Sequence, residues 1–171
     1  MLIISVVLNG ALMAQQPSAK EYEIKAVFLY NFTQFIEWPV DVFSKADAPL
    51  VIGIVGSDPF GNYLDETIQG EVVSGHPLVV RRFRDASEID VCQILYVGTE
   101  DKSQLKQIFE RSQVAHILTV GDGAGFIKQG GMIRLFAEQN KMRIRINLGP
   151  VKTADLKVSS KLLRLAEIVE P

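Results

Sequence analysis

Hydrophobic residues recur at helical spacing in the segment that leads up to Pro39. Spacings of three and four place them on one stripe of a helix. Pro39 cannot continue a helix and disfavours the helical conformation at Trp38, so the helix is predicted to end there. Trp38, the only tryptophan, then either packs into the core or stays partly exposed as a docking residue. The stripe consists of Ile24, Val27, Phe28, Phe32, Phe35 and Ile36.

Continuous apolar runs bounded by turn residues predict strands that are covered on both faces. Helical patterns at residues 62–68 and 103–112 and a short helix or turn at 86–90 alternate with these runs. Such alternation is typical of an α/β sheet with mostly parallel strand order. The predicted strands span residues 50–56, 78–83, 93–98 and 116–121.

The pattern changes at residues 132–148, where two strand-like runs flank a short polar turn and predict an antiparallel hairpin. With Asn140–Lys141 as a two-residue loop, Glu138 pairs with Arg143, Phe136 with Arg145 and Arg134 with Asn147. One face of the hairpin is apolar. We call the other the polar hairpin face, and it consists of Arg134, Glu138, Arg143, Arg145 and Asn147.

The three arginines of the polar hairpin face permit two interpretations. Their guanidinium groups could clamp a carboxylate or a phosphate. Alternatively, the face is simply solvated, with Glu138 and Arg143 as an ordinary cross-strand ion pair.

A last helix is predicted over residues 156–169, where leucines form a broad apolar side after the Gly149–Pro150 break. The chain is therefore predicted to be a single-domain α/β protein. Its mixed sheet has flanking helices and ends in an antiparallel hairpin and a C-terminal helix, and 171 residues agree with one domain.

Composition and the first residues restrict the class of protein. A net charge of −2 with dispersed Lys and Arg argues against a nucleic-acid binder. Residues 1–14 are uncharged and mostly apolar, too short to span a bilayer, and typical of a secretory signal cleaved near Ala14. No basic residue precedes the apolar run, and a buried N-terminal strand is the alternative. Residues 1–19 are assigned to a signal peptide and short linker, and residues 20–171 to the folded domain.

Motifs for catalysis, metals and cofactors are absent from the sequence. The loop 56–61 lacks the Lys and Ser/Thr of a phosphate-binding loop, so it is predicted to be a turn with Phe60 packed inward. His76 and His116 have no ligand-type residues at metal spacing and are expected on the surface or in hydrogen bonds. Cys92 is expected to be a small buried hydrophobe. The sequence therefore predicts a protein without enzyme activity, metal or cofactor, and an enzyme of unrecognised type, with titratable side chains converging in a pocket, is the alternative.

The carboxyl edge of a parallel sheet is where such folds bind small molecules. Four residues follow or end predicted strands at that edge, and they are weaker candidates for a ligand site. They are Ser57, Asp58, Gly121 and Asp122.

A series of short motifs resembles the YfiR-like family, in the family's order and across residues 20–169. The motifs are KAVFLYNF (25–32), EWP (37–39), GSDPFG (56–61), LTVGD (118–122), GGMI (130–133), INL (146–148) and LKVSSKLLRLA (156–166).

This resemblance implies a small exported protein of Gram-negative bacteria with an α/β sandwich of Rossmann-like appearance. The best-known member is a periplasmic repressor that binds the periplasmic sensor part of an inner-membrane diguanylate cyclase and holds it inactive. Its release raises cyclic di-GMP and promotes biofilm. That repressor uses cysteine pairs, whereas this chain has only Cys92 and cannot form an internal disulfide.

The resemblance leads us to expect a regulatory binding protein. The residue pattern, rather than the resemblance, places its partner contacts on the polar hairpin face, with Trp38 secondary. The partner is expected to be the periplasmic domain of a diguanylate cyclase or, alternatively, of a histidine kinase. A small-molecule receptor is the other alternative. A small-molecule effector and a homodimer are both left open.

Overall fold

A central eight-stranded sheet organises the computed structural model, which describes residues 18–169. Most of the predicted signal peptide and linker lies outside this range. The elements in chain order are α1 (Ala19–Phe35), β1 (Ile36–Glu37), β2 (Leu50–Gly56), α2 (Tyr63–Ile68), β3 (Val72–Val73), β4 (His76–Phe83), β5 (Ile94–Gly98), α3 (Lys102–Val114), β6 (Leu118–Gly121), β7 (Ile133–Glu138), β8 (Lys141–Asn147), α4 (Leu148–Thr153), β9 (Lys157–Val158), α5 (Ser160–Leu165) and β10 (Glu167–Val169).

The sheet is mixed, with mostly parallel strands, as the sequence predicted. The strand order is β10-β8-β7-β6-β5-β2-β4-β3. Strands β4, β2, β5, β6 and β7 run parallel to one another, whereas β8 and β3 pair antiparallel with their neighbours and β10 runs parallel to β8. The predicted strand at residues 50–56 coincides with β2, and the other three lie within two residues of β4, β5 and β6.

Two hydrophobic cores lie on opposite faces of the sheet because side chains alternate along each strand. Ile52 and Ile54 of β2 belong to the core that contains Leu29 and Phe32 of α1. Val51 and Val55 belong to the other core, together with Leu105, Ile108 and Phe109 of α3. Helices therefore cover both faces of the parallel strands, which is the reason that these strands are apolar throughout.

The first helix ends earlier than predicted and buries a different face. It stops at Phe35, and Ile36–Glu37 instead pair with Lys157–Val158 as β1 and β9, so Trp38 follows a short strand. Of the predicted stripe, Phe32 and Ile36 are buried, but Ile24 and Val27 are 41% and 40% exposed. The helix buries Lys25, Ala26, Leu29, Phe32 and Thr33. Apolar residues occur on both sides of α1, so their spacing alone could not identify the inward face.

The hairpin forms as predicted, but its turn lies one residue earlier. Gln139 and Asn140 occupy the loop with φ of 49° and 60°, the left-handed conformation that a type I′ turn requires at both central positions. The pairs are therefore Arg134–Arg145, Phe136–Arg143 and Glu138–Lys141. Because each partner shifts by two residues, the predicted faces of both strands are preserved.

The predicted long helix at residues 156–169 is interrupted. Helix α5 accounts only for Ser160–Leu165, and the short strands β9 and β10 flank it. Ser159 explains the break, because its backbone N–H donates to Phe35 O at 2.9 Å and its hydroxyl accepts from Leu162 N at 3.3 Å as the N-cap of α5. Helix α4, at Leu148–Thr153, was not predicted.

Candidate functional site

The carboxyl ends of β2, β5 and β6 meet around a small cavity, which we call the edge cavity. Its volume is about 200 Å³. The strands approach closely here, since a Cβ atom on Gly98 would lie 2.0 Å from the carbonyl oxygen of Ser57. Polar and aromatic side chains line the cavity, among them Tyr22, Ser57, Tyr96, Thr99, Glu100, Asp122 and Phe126.

Two of the four residues predicted for a ligand site line the edge cavity, and two do not. Ser57 and Asp122 line it. Asp58 turns away: its Oδ2 lies 2.7 Å from Arg82 Nε, and its Oδ1 accepts from the backbone N–H of Phe60 at 2.8 Å. Gly121 is covered by the ring of Phe126, which a Cβ atom would approach to 2.7 Å. The predicted turn with Phe60 inward is confirmed, since Phe60 is buried.

A buried charge cluster joins α1 to the end of β6. The side chain of Lys25 is 1% exposed, and its Nζ lies 2.7 Å from Asp122 Oδ2 and 2.8 Å from Glu21 Oε1. The hydroxyl of Tyr22 donates to the same Asp122 Oδ2 at 3.1 Å. A buried ammonium requires paired carboxylates, so Asp122 and Glu21 hold Lys25 inside the helix interface.

The tyrosines around this cluster are held in their neutral form. Burial raises the pKa of the Tyr22 hydroxyl to about 12, and the negative charge of Asp122 raises it in the same direction. Burial also raises the pKa of Tyr96, again with Asp122 contributing. Both hydroxyl groups therefore remain hydrogen-bond donors at any physiological pH.

A larger cleft, of about 810 Å³, opens between the first turns of α1 and the hairpin. We call it the α1–hairpin cleft. Asp122 and Tyr22 line both this cleft and the edge cavity, so the two spaces share a wall. The other lining residues include Ser18, Glu21, Lys25, Arg134, Phe136, Gln139 and Asn140.

Arg134 borders this cleft without a carboxylate partner among residues 18–169. Its Nε donates to the backbone oxygen of Asp122 at 3.2 Å, and its guanidinium lies 4.5 Å from the centre of the Phe136 ring. Burial lowers the pKa of Arg134, and the positive charge of Arg145, its cross-strand neighbour, lowers it further. The environment of Arg134 therefore favours a negative charge nearby.

The other two arginines of the polar hairpin face are already paired. Glu167 of β10 accepts from Arg145 Nη2 at 2.6 Å and from Arg143 Nη2 at 3.1 Å, and these hydrogen bonds lower the pKa of its carboxyl group. Arg143 also lies 3.6 Å from Glu138, the predicted cross-strand partner. The hairpin therefore does not present three unpaired guanidinium groups as an anion clamp, because Arg143 and Arg145 already have carboxylate partners.

Asn147 and Trp38 occupy structural positions. The Asn147 side chain accepts from Gly149 N at 3.3 Å and caps α4. Trp38 is half-buried against the α1-side core, and its Nε1 is buried without a hydrogen-bond partner among residues 18–169. Neither position by itself tests a role in partner binding.

Three residues of these sites were missed by the sequence reasoning: Tyr22, Lys25 and Glu167. Lys25 carried a usable signal, because a lysine between apolar residues of a helix with Glu21 four residues earlier fits an i,i+4 pair. Glu167 gave no such sequence signal, because the pattern predicted it within the last helix and not in a strand that pairs with β8.

The remaining candidates behave as simple structural residues. His76 and His116 hydrogen-bond through Nδ1 to the carbonyl oxygens of Ala48 and Ala154, as expected. Cys92 is buried, and burial raises the pKa of its thiol to about 12. Over residues 18–169 no cluster of His, Cys, Asp and Glu suits a metal ion, and no helix is long and apolar enough to cross a membrane.

Comparison with known proteins identifies one family. A family model described as YfiR/HmsC-like matches residues 22–167. No curated protein sequence matches the chain. Among solved structures, a conserved domain protein from Vibrio cholerae O1 biovar El Tor str. N16961 aligns at 11% identity with a TM-score of 0.49. The alignment covers 71% of this chain and 54% of that one, so the chain spans about half the length of that protein.

Proposed function

The chain belongs to the YfiR/HmsC-like family, and from this premise we propose that it is an exported regulatory protein without catalytic activity. In this proposal residues 1–19 direct it to the periplasm. There it binds the periplasmic sensor domain of an inner-membrane signalling enzyme, a diguanylate cyclase, and represses it.

One observation carries the choice of contact surface: among residues 18–169, no apolar core forms on the polar hairpin face. The α3-side core draws no residue from β7, β8 or β10 within the described chain. Arg134, Phe136, Arg143 and Arg145 lie on that side of the sheet, while Ile133 and Leu135 face the α1-side core. Phe136 supplies apolar area between the Arg134 and Arg145 guanidinium groups.

Aromatic and arginine side chains are enriched where protein interfaces gain most of their affinity. The three arginines exceed their two carboxylate partners, Glu138 and Glu167, by one positive charge. A partner surface that presents carboxylates would complement this excess. Repression then requires that the chain bind the inactive state of the cyclase more tightly than the active state.

The first experiment tests the function in the native host. Deletion of the gene is expected to raise cyclic di-GMP severalfold, and the wild-type gene should restore the original level. An unchanged cyclic di-GMP concentration would refute repression of a cyclase. A change in the phosphorylation of a sensor kinase instead would favour the alternative partner, a histidine kinase.

The second experiment tests the surface. Complementation with Arg143→Glu should fail to restore low cyclic di-GMP. Arg164→Glu is the matched control, because Arg164 is exposed on α5, whose Leu162 packs in the core on the opposite side of the sheet. Equal complementation by both variants would remove the polar hairpin face from the partner contacts.

A small-molecule receptor is the second candidate function. The edge cavity favours it, because Ser57 and Asp122 place polar groups in a space at the carboxyl edge of the sheet. A volume of about 200 Å³ limits an occupant of that cavity to roughly ten non-hydrogen atoms, since a cavity of about 150 Å³ holds benzene.

A further inference from the structure

The α1–hairpin cleft holds one cation that the described protein leaves without a counter-ion. Lys25 has two carboxylates, Asp122 and Glu21, and Arg145 has Glu167. Arg134 makes a single hydrogen bond within residues 18–169, from Nε to a backbone carbonyl, which leaves its Nη donors for another acceptor.

The position of Arg134 is costly for an unpaired charge. It lies directly opposite Arg145 in the β7–β8 ladder, and like charges in opposite positions destabilise a sheet. It is also partly desolvated, half-buried beside Phe136. A bound anion would offset both effects, because a carboxylate accepts two parallel hydrogen bonds from a guanidinium group.

We propose that the α1–hairpin cleft is a receptor site for a small organic monocarboxylate, with Arg134 as the residue that binds its carboxylate. This inference rests on the proposed regulatory function and adds a way to release repression that needs no disulfide. Arg134 also belongs to the polar hairpin face, so an occupied cleft and a bound partner compete for the same guanidinium group.

The charges around Arg134 favour an occupant of the cleft that carries one negative charge rather than two. Asp122 and Glu21 line the same cleft, and each keeps lone pairs beyond those that contact Lys25. A dianion such as a phosphate monoester would place its second charge near these carboxylates, which is unfavourable. A monocarboxylate neutralises Arg134 without adding that repulsion.

The walls of the cleft suit an occupant with an apolar or aromatic part. Tyr22 of α1 and Phe136 of β7 both line it, and Gln139 and Asn140 add amide groups at the hairpin turn. A volume of about 810 Å³ lies within the range of small-molecule sites.

The test uses phenylacetate as the probe and measures its dissociation constant with the purified chain by NMR, following the arginine Nε–Hε signals. Phenylacetate is expected to bind and to shift the Arg134 signal, whereas the neutral phenylacetamide should bind at least tenfold more weakly. Phenyl phosphate, which carries a second charge, should also bind more weakly than phenylacetate.

Variants assign the binding to the cleft. Arg134→Gln should weaken phenylacetate at least tenfold, and Arg134→Lys, which keeps the charge but not the planar fork, should weaken it by a smaller factor. Arg164→Gln is the matched control and should stay within twofold of the wild type. Circular dichroism establishes that each variant is folded.

Several results would overturn the proposal: no binding of phenylacetate to the wild type, equal affinity for phenylacetamide, tighter binding of phenyl phosphate, or unchanged affinity in a folded Arg134→Gln variant. The assay contains no partner protein. A negative result in the binding assay therefore does not affect the conclusions of the cyclic di-GMP experiments. Conversely, a negative result in those experiments does not change the measured affinity for phenylacetate.

Discussion

Lys25→Met removes the ammonium group from the buried charge cluster and keeps a side chain of similar length in its place. Lys25 is the only charged residue of α1 that is buried. Its removal leaves Asp122 and Glu21 facing each other across the former site of the ammonium, without their common counter-ion.

The cost follows from the geometry. At separations of 2.8 Å to Glu21 and 2.7 Å to Asp122, each ion pair of Lys25 has a gross Coulomb energy of roughly 6 kcal/mol at an effective dielectric constant near 20. Desolvation cancels much of this energy, and breaking a buried pair by removing one partner costs about 3–5 kcal/mol. The carboxylates of Glu21 and Asp122 keep 17% and 26% exposure, so water recovers part of the loss. We expect Lys25→Met to lower the free energy of unfolding by about 2–4 kcal/mol.

Urea denaturation followed by circular dichroism measures this change. Lys20→Met is the matched control on the same helix, because Lys20 is exposed, and it should change stability by less than about 0.5 kcal/mol. The double variant Lys25→Met with Asp122→Asn removes the charge left behind. It should recover at least about 1 kcal/mol relative to the sum of the single changes.

The reasoning fails if Lys25→Met is as stable as the wild type in a two-state transition. In that case the ion pairs only compensate the desolvation of the lysine, and α1 is held by its apolar contacts alone. A double variant without recovery would show that Asp122 does not act through Lys25.

Three further predictions follow from close packing and from the pKa shifts. Gly131→Ala places a Cβ atom 2.2 Å from the Phe126 ring, so overpacking should cost about 1–3 kcal/mol in urea denaturation, and a neutral result would show that the ring moves freely. Burial raises the pKa of Cys92 to about 12, so a thiol reagent at pH 8 should label it only as fast as the chain opens; immediate labelling would contradict its burial. The pKa of Tyr22 rises from 10.0 to about 12 on folding, so the unfolded chain releases this proton first and stability should fall between these pH values. Absorbance at 295 nm should show a tyrosine ionising near pH 12 that disappears in Tyr22→Phe, and an unchanged titration would refute the shift.

The sequence predicted correctly those elements whose hydrophobic pattern matches the way they are buried in the fold. Strand β2 is apolar at nearly every position because helices cover both of its faces, so its bounds were predicted to the residue. The loop after it was also predicted, since Asp58 and Pro59 favour a turn and Phe60 is apolar.

Prediction failed where a long-range partner decides the outcome. The inward face of α1 depends on Asp122, about a hundred residues away, which draws Lys25 inside in place of Ile24 and Val27. The sequence identified the arginines of β8 as candidate site residues but not Glu167, because only the parallel pairing of β10 with β8 brings Glu167 beside Arg145. The hairpin turn was misplaced by one residue because it contains no glycine, so Gln139–Asn140 carried no stronger turn signal than Asn140–Lys141.

The buried charge cluster also constrains the order in which the molecule can assemble. Tyr22 and its acceptor Asp122 are separated by 100 positions, and β1 closes against β9 still later in the chain. A chain that emerges from its N-terminus makes α1 first, yet the ammonium of Lys25 has its second carboxylate only after β2, β5 and β6 exist. The buried charge cluster can therefore be completed only after β6 has been made, and until then the i,i+4 pair with Glu21 is the contact available to the Lys25 ammonium.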